Sequence, residues 1–202
     1  MIFAFDLDGT VTREETLPLL ARELGLYEEL MLLTKLTLKG SIGFEQSFRL
    51  RYQLLKDIPL ERIRAIMGQV RLDEEIVSFI RSRAGDCALV TGNLDVWIEP
   101  LTARLGCRVF ASRSYRAPSG ELVLAEVLDK GAAIRQLKQL DKVAAIGESF
   151  NDIPMFEAAD YAVAYAGVHM PVDAAIAAAD WVAFDGASLC RLLARCHEWP
   201  CK

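Results

Sequence analysis

Five short apolar runs limit what this chain can fold into: Ile2–Phe5, Ala88–Val90, Val143–Ile146, Ala162–Ala164 and Trp181–Phe184. Most end at Gly, Asp or Thr, and longer stretches with helical spacing separate them. Runs that are apolar at every position fit strands buried on both faces, and parallel strands need crossover helices between them. The expectation is an α/β core, a parallel sheet with helices on both faces. Asn93 and Asp95 open one helix that ends near Gly106, Gly131–Leu140 carries Ile134 and Leu137 at i and i+3, and Ser188–Cys196 forms another. Arg113–Ala125, with Pro118, Ser119 and Gly120 between alternating segments, reads as a hairpin. An open sheet of this kind binds its ligand at the carboxyl ends of the strands.

The stretch between Phe5 and Ala88 is far longer than one crossover helix requires. It is helical in character: Leu17, Leu20, Ala21 and Leu24, then Leu30–Leu38, then Phe44, Phe48, Tyr52 and Leu55, then Pro59 ahead of Ile63, Ile66 and Met67. Residues 13–71 are therefore expected to form a small helical bundle inserted in a core made of 1–12 and 72–202. The insert holds 10 basic against 8 acidic side chains, with 13 and 20 elsewhere. That asymmetry suits an anionic ligand, although an ordinary helix surface explains so small an excess equally well.

The net charge of -5 argues against a nucleic-acid partner, because phosphate contacts need a surplus of Lys and Arg. No apolar run reaches the ~18 residues of a membrane span, so no membrane partner is expected. Five scattered Cys make a poor disulfide framework and point to a reducing cytoplasm. Cys190, Cys196, His197 and Cys201 match no standard zinc spacing. His169 is expected on the surface, and Tyr161, Tyr165 and Trp181 in the core and its rim.

Chemistry concentrates at four places. Phe5-Asp6-Leu7-Asp8-Gly9-Thr10 sends two acids out of a buried strand, and alternation points both carboxylates the same way. Acids so close repel unless a cation lies between them, and the oxygen-preferring choice is Mg²⁺. Leu89-Val90-Thr91-Gly92-Asn93 offers a hydroxyl and backbone N–H groups to a phosphate where strand passes into helix. Lys130, at a helix start in Asp129-Lys130-Gly131, reads by itself as a solvated side chain. Ile146-Gly147-Glu148-Ser149-Phe150-Asn151-Asp152 is an acidic loop after another strand, in which Glu148 and Asp152 form a second candidate metal edge.

In order, DLDGT, LVTGN, DKG and GESFND resemble the four motifs of the haloacid dehalogenase superfamily, over essentially the whole chain. Within it the insert is most similar to that of phosphoserine phosphatases, through Glu15-Thr16, Ala21-Arg22-Glu23, Phe44–Arg51 and Leu54–Pro59. The resemblance implies a Rossmann-like parallel-sheet core with an inserted helical-bundle cap. It implies a phosphomonoester hydrolase in which Asp6 attacks phosphorus and becomes an aspartyl-phosphate, and Asp8 serves as acid and then base. It assigns Mg²⁺ to Asp6, the Asp8 carbonyl and Glu148, with Asp152 in support; the longer Glu148 in place of the usual Asp makes Mn²⁺, less strict in geometry, the alternative ion. Thr91, Gly92 and Lys130 would hold the phosphoryl oxygens, with Asn151 a further candidate. Glu15 would take a substrate ammonium, Arg51 a carboxylate, and Phe44 would shield the site. The implied partner is a small phosphorylated substrate, O-phosphoserine or a similar amino-alcohol phosphate; the oligomeric state is not implied.

Two motifs depart from the family pattern. Glu148 stands where Asp is usual, moving its carboxylate by roughly 1.5 Å, one C–C bond. Thr-Gly-Asn replaces the more common Ser-Gly-Gly. Phosphotransfer to a small alcohol such as homoserine and a non-catalytic phosphometabolite-binding protein both stay open beside hydrolysis. Retention of Asp6, Asp8, Thr91 and Lys130 speaks against the latter.

Overall fold

The computed structural model describes residues 1–38 and 41–200, the side chain of Leu38 excepted. Its frame is one seven-stranded sheet, ordered β4-β3-β2-β1-β5-β6-β7. The strands are β1 (Ile2–Phe5), β2 (Cys87–Leu94), β3 (Arg108–Arg116), β4 (Leu122–Glu126), β5 (Val143–Gly147), β6 (Tyr161–Tyr165) and β7 (Trp181–Ala183). All pairings are parallel except β3 with β4, which is the expected hairpin around Gly120.

Every central strand divides its side chains between two apolar layers. Phe3, Phe5, Leu89, Ile146 and Val163 belong to one core, Ile2, Ala4, Val90, Ala145 and Ala162 to the other. This period-2 split is why the runs contain no polar position. The second layer is built largely from alanines, so α7 (Lys130–Leu137), α8 (Ile153–Ala158) and α9 (Asp173–Ala178) cover it through side chains such as Ile134, Met155 and Ala175. The first layer is covered by α5 (Glu74–Ser82), α6 (Asp95–Thr102) and α10 (Gly186–Ala194), through Ile76, Ile80, Trp97, Leu101 and Leu189.

Between β1 and α5 run α1 (Thr16–Leu24), α2 (Tyr27–Leu38), α3 (Phe44–Leu55) and α4 (Leu60–Gly68). The chain enters and leaves them as neighbours: Thr12 bridges Leu72 in antiparallel fashion, Arg13 N donates to Arg71 O at 2.9 Å, and Asp73 N donates to Val11 O at 2.9 Å. Trp97 of α6, fully buried, meets Phe48 at 6.1 Å and Tyr52 at 6.4 Å between ring centroids. The Tyr52 hydroxyl donates to the Leu122 carbonyl of β4. These contacts seat the four helices over the end of the sheet that carries Asp6.

Several boundaries differ from the sequence reading. Strand β3 starts at Arg108, ahead of the hairpin, because Ala88–Val90 of β2 supply ladder partners for Arg108–Phe110. Asn93 lies in β2 and α6 opens at Asp95, whose own carboxylate accepts from Val96 N at 2.8 Å. Helix α7 ends at Leu137, leaving Leu140 exposed, and α10 begins at Gly186, where Asp185 caps Ser188 N at 2.7 Å. His169 is exposed, Tyr161 and Tyr165 are buried and Trp181 is half-buried. Cys201 lies outside the described residues; among those described, no three His, Cys, Asp or Glu side chains form a metal-binding group.

Candidate active site

Sheet order reverses at β1, which has β2 on one side and β5 on the other, so a crevice opens at their carboxyl ends. Asp6 leaves β1 there, its N–H bound to Ile146 O at 2.8 Å. The chain then turns sharply over Leu7–Val11. Gly9 takes φ 68°, a left-handed conformation costly for other residues, and a Cβ there would stand 2.4 Å from Glu148 Oε1. Buried Thr12 ties the turn together, accepting from Gly9 N at 3.2 Å and donating to Glu14 O at 2.7 Å. The turn brings Asp8 beneath α1. Thr16, at the start of α1, donates to Asp8 Oδ1 from its backbone N at 2.8 Å and from its hydroxyl at 2.6 Å. Asn93 Nδ2 donates to Asp8 Oδ2 at 2.6 Å. Burial raises the Asp8 pKa, and the Thr16 and Asn93 hydrogen bonds oppose that rise without cancelling it.

Lys130 is not the surface lysine that its position suggests. It is 4 % exposed, and Nζ donates to Asp6 Oδ1 at 2.5 Å and Asp152 Oδ1 at 2.6 Å. Burial alone would lower its pKa, but the two carboxylates outweigh that and hold it above the ordinary lysine value. Asp6 is raised well above its usual range, first by burial and then by Asp152, with Lys130 acting in the opposite sense. Asp152, fully buried, also accepts at Oδ2 from Glu148 N at 2.9 Å and Ser149 N at 2.8 Å. Both its oxygens are thus engaged in shaping the loop and holding Lys130. Of the expected metal residues, it presents no free oxygen.

Glu148 closes the opposite side. Its Oε2 is buried and has no hydrogen-bond partner, and Asp6 Oδ2 accepts no hydrogen bond from the described residues. Glu148 is pushed up to about 9, chiefly by burial, then by the charges of Glu15, Asp6 and Asp152. Glu15 is pushed up to about 7 by burial and by Asp8. Glu15 and Glu148 face one another across the cavity, and the charge of Glu15 is among the causes that raise Glu148. Hard oxygen donors crowded together and one of them orphaned are the donor set that a small divalent cation satisfies.

A cavity of about 120 Å³ is lined by Asp6, Asp8, Thr91, Gly92, Asn93, Glu148, Ser149 and Asn151 below, and by Glu15, Leu17, Phe44, Phe48 and Arg51 above. Phe44 presses on Gly92 so closely that a Cβ would sit 2.3 Å from its ring, which explains glycine in the second motif. Thr91–Asn93 form an irregular end of β2 and not the first turn of a helix; the Thr91 hydroxyl accepts from Asn93 N at 3.2 Å. Arg51 is 7 % exposed, donates to Thr34 Oγ1 at 2.9 Å, and keeps a buried Nε without partner. The expected catalytic, phosphate-contacting and cap residues therefore line one cavity, except Lys130 and Asp152, which lie directly behind Asp6. Thr12 and Thr16 were not anticipated. A threonine eight residues after an acid carries no signal until the turn brings them together.

An acidic crevice that joins two strand-end carboxylates, a buried lysine and an overhanging helical layer defines a class of hydrolase. The family model of haloacid dehalogenase-like hydrolases matches residues 3–157, and the chain belongs to that family. Phosphoserine phosphatase of Methanocaldococcus jannaschii is 30% identical over 178 residues, 81% of this chain and 84% of that protein. The enzyme of the same name from Archaeoglobus fulgidus is 26% identical over 81% of this chain, which spans 52% of that longer protein. A substrate-bound phosphoserine phosphatase structure superposes with TM-score 0.78 and 27% identity, covering 95% of this chain and 97% of that one. A phospho-aspartyl intermediate analogue of phosphoserine phosphatase gives TM-score 0.77 with the same identity and coverage. The chain is a phosphatase of this family, similar to the phosphoserine phosphatases. No helix among the described residues is long and apolar enough to cross a membrane.

Proposed function

We propose that this enzyme is a Mg²⁺-dependent hydrolase of O-phosphoserine, or of a similarly small phosphorylated amino alcohol, and that residues 13–71 act as its cap over a core of 1–12 and 72–202. The observation that carries this reading is the cavity itself. At about 120 Å³ it admits only a small ester, and it sets acids and a buried lysine below against Glu15 and an under-used Arg51 above. Glu15 would receive the substrate ammonium, and the unpartnered Nε of Arg51 its carboxylate. Phe44 excludes water at the side of Gly92. A small metabolite as substrate suits the cytoplasm expected from the scattered cysteines.

In the reaction, an Asp6 oxygen attacks phosphorus while the ester P–O bond breaks, and Asp8 gives its proton to the departing alkoxide. Asp8 then takes a proton from the water that attacks the aspartyl-phosphate, releasing phosphate and restoring the Asp6 carboxylate. The raised pKa of Asp8 favours its loading with that first proton. Lys130, Thr91, Gly92 N–H and Asn151 would steady the phosphoryl oxygens. Asp6, the Asp8 carbonyl and Glu148 would hold Mg²⁺, which offsets the charge between an anionic nucleophile and an anionic phosphate. Asp152 supports this set through Lys130 and the loop.

Phosphate release from a panel of phosphomonoesters with Mg²⁺ tests the reading. O-phosphoserine should lead; release from other esters but not from it would remove the substrate, and release from none would remove the activity. Arg51→Ala should raise KM for O-phosphoserine by the loss of a charge-assisted contact, roughly 1.5–3 kcal/mol, while leaving ethanolamine phosphate, which has no carboxylate, nearly unchanged. Equal effects would reject the assignment of Arg51.

Glu148 gives a second test. Calorimetric titration of Glu148→Ala should show Mg²⁺ binding lost, whereas Glu148→Asp should keep it and shift preference from Mn²⁺ towards Mg²⁺, the stricter ion in geometry. Unchanged affinity in Glu148→Ala would remove Glu148 from the ligand set.

A further inference from the structure

Asn93 is the one side chain of the second motif that reaches across to the first. It sits at the irregular end of β2, where the β2–β3 register shifts between Val90 and Leu94, and it is 3 % exposed. Its Nδ2 donates to Asp8 Oδ2 at 2.6 Å and approaches Thr16 Oγ1 at 3.2 Å. Thr16 holds the other Asp8 oxygen twice. A carboxylate gripped at both oxygens by a strand and by a helix start cannot rotate about its terminal bond. Glycine at position 93 would leave Oδ2 with no protein donor.

We propose that Asn93 is a positioning residue that fixes the Asp8 carboxyl group in the orientation needed to protonate the leaving alkoxide. The inference rests on the acid role given to Asp8 above. Geometry carries it: a general acid must lie within hydrogen-bond reach of the atom that it protonates, and a small misplacement is costly. Only esters whose leaving group needs a proton depend on that orientation. An alkoxide does; acetate, leaving from acetyl phosphate, departs as a stable anion. Acetyl phosphate is also small enough for the same cavity.

The test compares kcat/KM, which reports formation of the phosphoenzyme, for O-phosphoserine and acetyl phosphate in wild type and Asn93→Ala. The expected result is a fall of at least about tenfold for O-phosphoserine, bounded above by the roughly 10²–10⁴ that a general acid supplies, and a change of less than about threefold for acetyl phosphate. Retained acetyl phosphate turnover also shows that the variant is folded. Thr16→Val, which removes one hydroxyl donor from Asp8 while keeping shape and the backbone N–H, should show the same selectivity at smaller amplitude. An equal fall on both esters would mean that Asn93 is merely structural, and no fall on either would mean that Thr16 alone holds Asp8; each overturns the proposal. If wild type spares O-phosphoserine, the substrate assignment alone fails, and glycerol 1-phosphate serves as the alkyl ester in the same comparison.

Discussion

Asp6→Asn should abolish phosphatase activity while leaving a folded protein. An amide has nearly the shape of the carboxylate but cannot form the acyl phosphate, so the loss should approach the roughly 10⁶ seen when a covalent nucleophile is removed. The fold should survive because Lys130 keeps Asp152 at 2.6 Å, and because replacing a buried carboxylate relieves repulsion between it and Asp152. Phosphate release by the purified variant and its thermal melt check both halves. Turnover within about tenfold of wild type would remove Asp6 as nucleophile, whatever the geometry suggests.

Most of the sheet was legible because burial on both faces leaves a plain mark: Ile2–Phe5 and Val143–Ile146 have no polar position to confuse the reading. Asp6 and Asp8 were legible for a related reason, since two acids one residue apart at the end of such a run point their carboxylates to the same side. What stayed hidden depends on closure of the chain. Lys130 lies 124 residues from Asp6, and nothing near Asp129-Lys130-Gly131 marks it as buried; only the family resemblance implies its place at the phosphate. The start of β3 at Arg108 was missed because it is an edge strand there: Val109 is exposed, so the apolar run is broken. Asn93 reads both as the opening of a helix, because Asn favours caps, and, in place of the family's glycine, as a residue that narrows the pocket or adds a donor; its bond to Asp8 is the donor role.

Glu148 shows how one methylene is accommodated. Its longer side chain reaches over Gly9 and meets Glu15, so a departure in the fourth motif is coupled to a residue at the start of the inserted helices. Gly9 is therefore needed twice, for its left-handed φ and for the space that Glu148 fills.

Lys130→Met should damage stability and catalysis together. Among the described residues, Lys130 is the only cation within hydrogen-bond reach of Asp6 and Asp152, two carboxylates with almost no contact with water. Methionine fills a similar volume but leaves both anions uncompensated, and breaking a buried pair in this way costs roughly 3–5 kcal/mol. For a protein of this size that corresponds to a Tm lower by roughly 6–20 °C. Urea and thermal unfolding in the presence of chelator measure this without any contribution from bound cations. The kcat/KM for phosphate esters should fall by a further roughly 10²–10³, the scale of losing one donor to the transferring group. Asp152→Asn in the same background should recover part of the stability, because it removes one of the two repelling charges, but none of the activity. If the single variant unfolds at the wild-type temperature, the Asp6–Asp152 repulsion is relieved some other way, and Lys130 acts on the phosphoryl group alone.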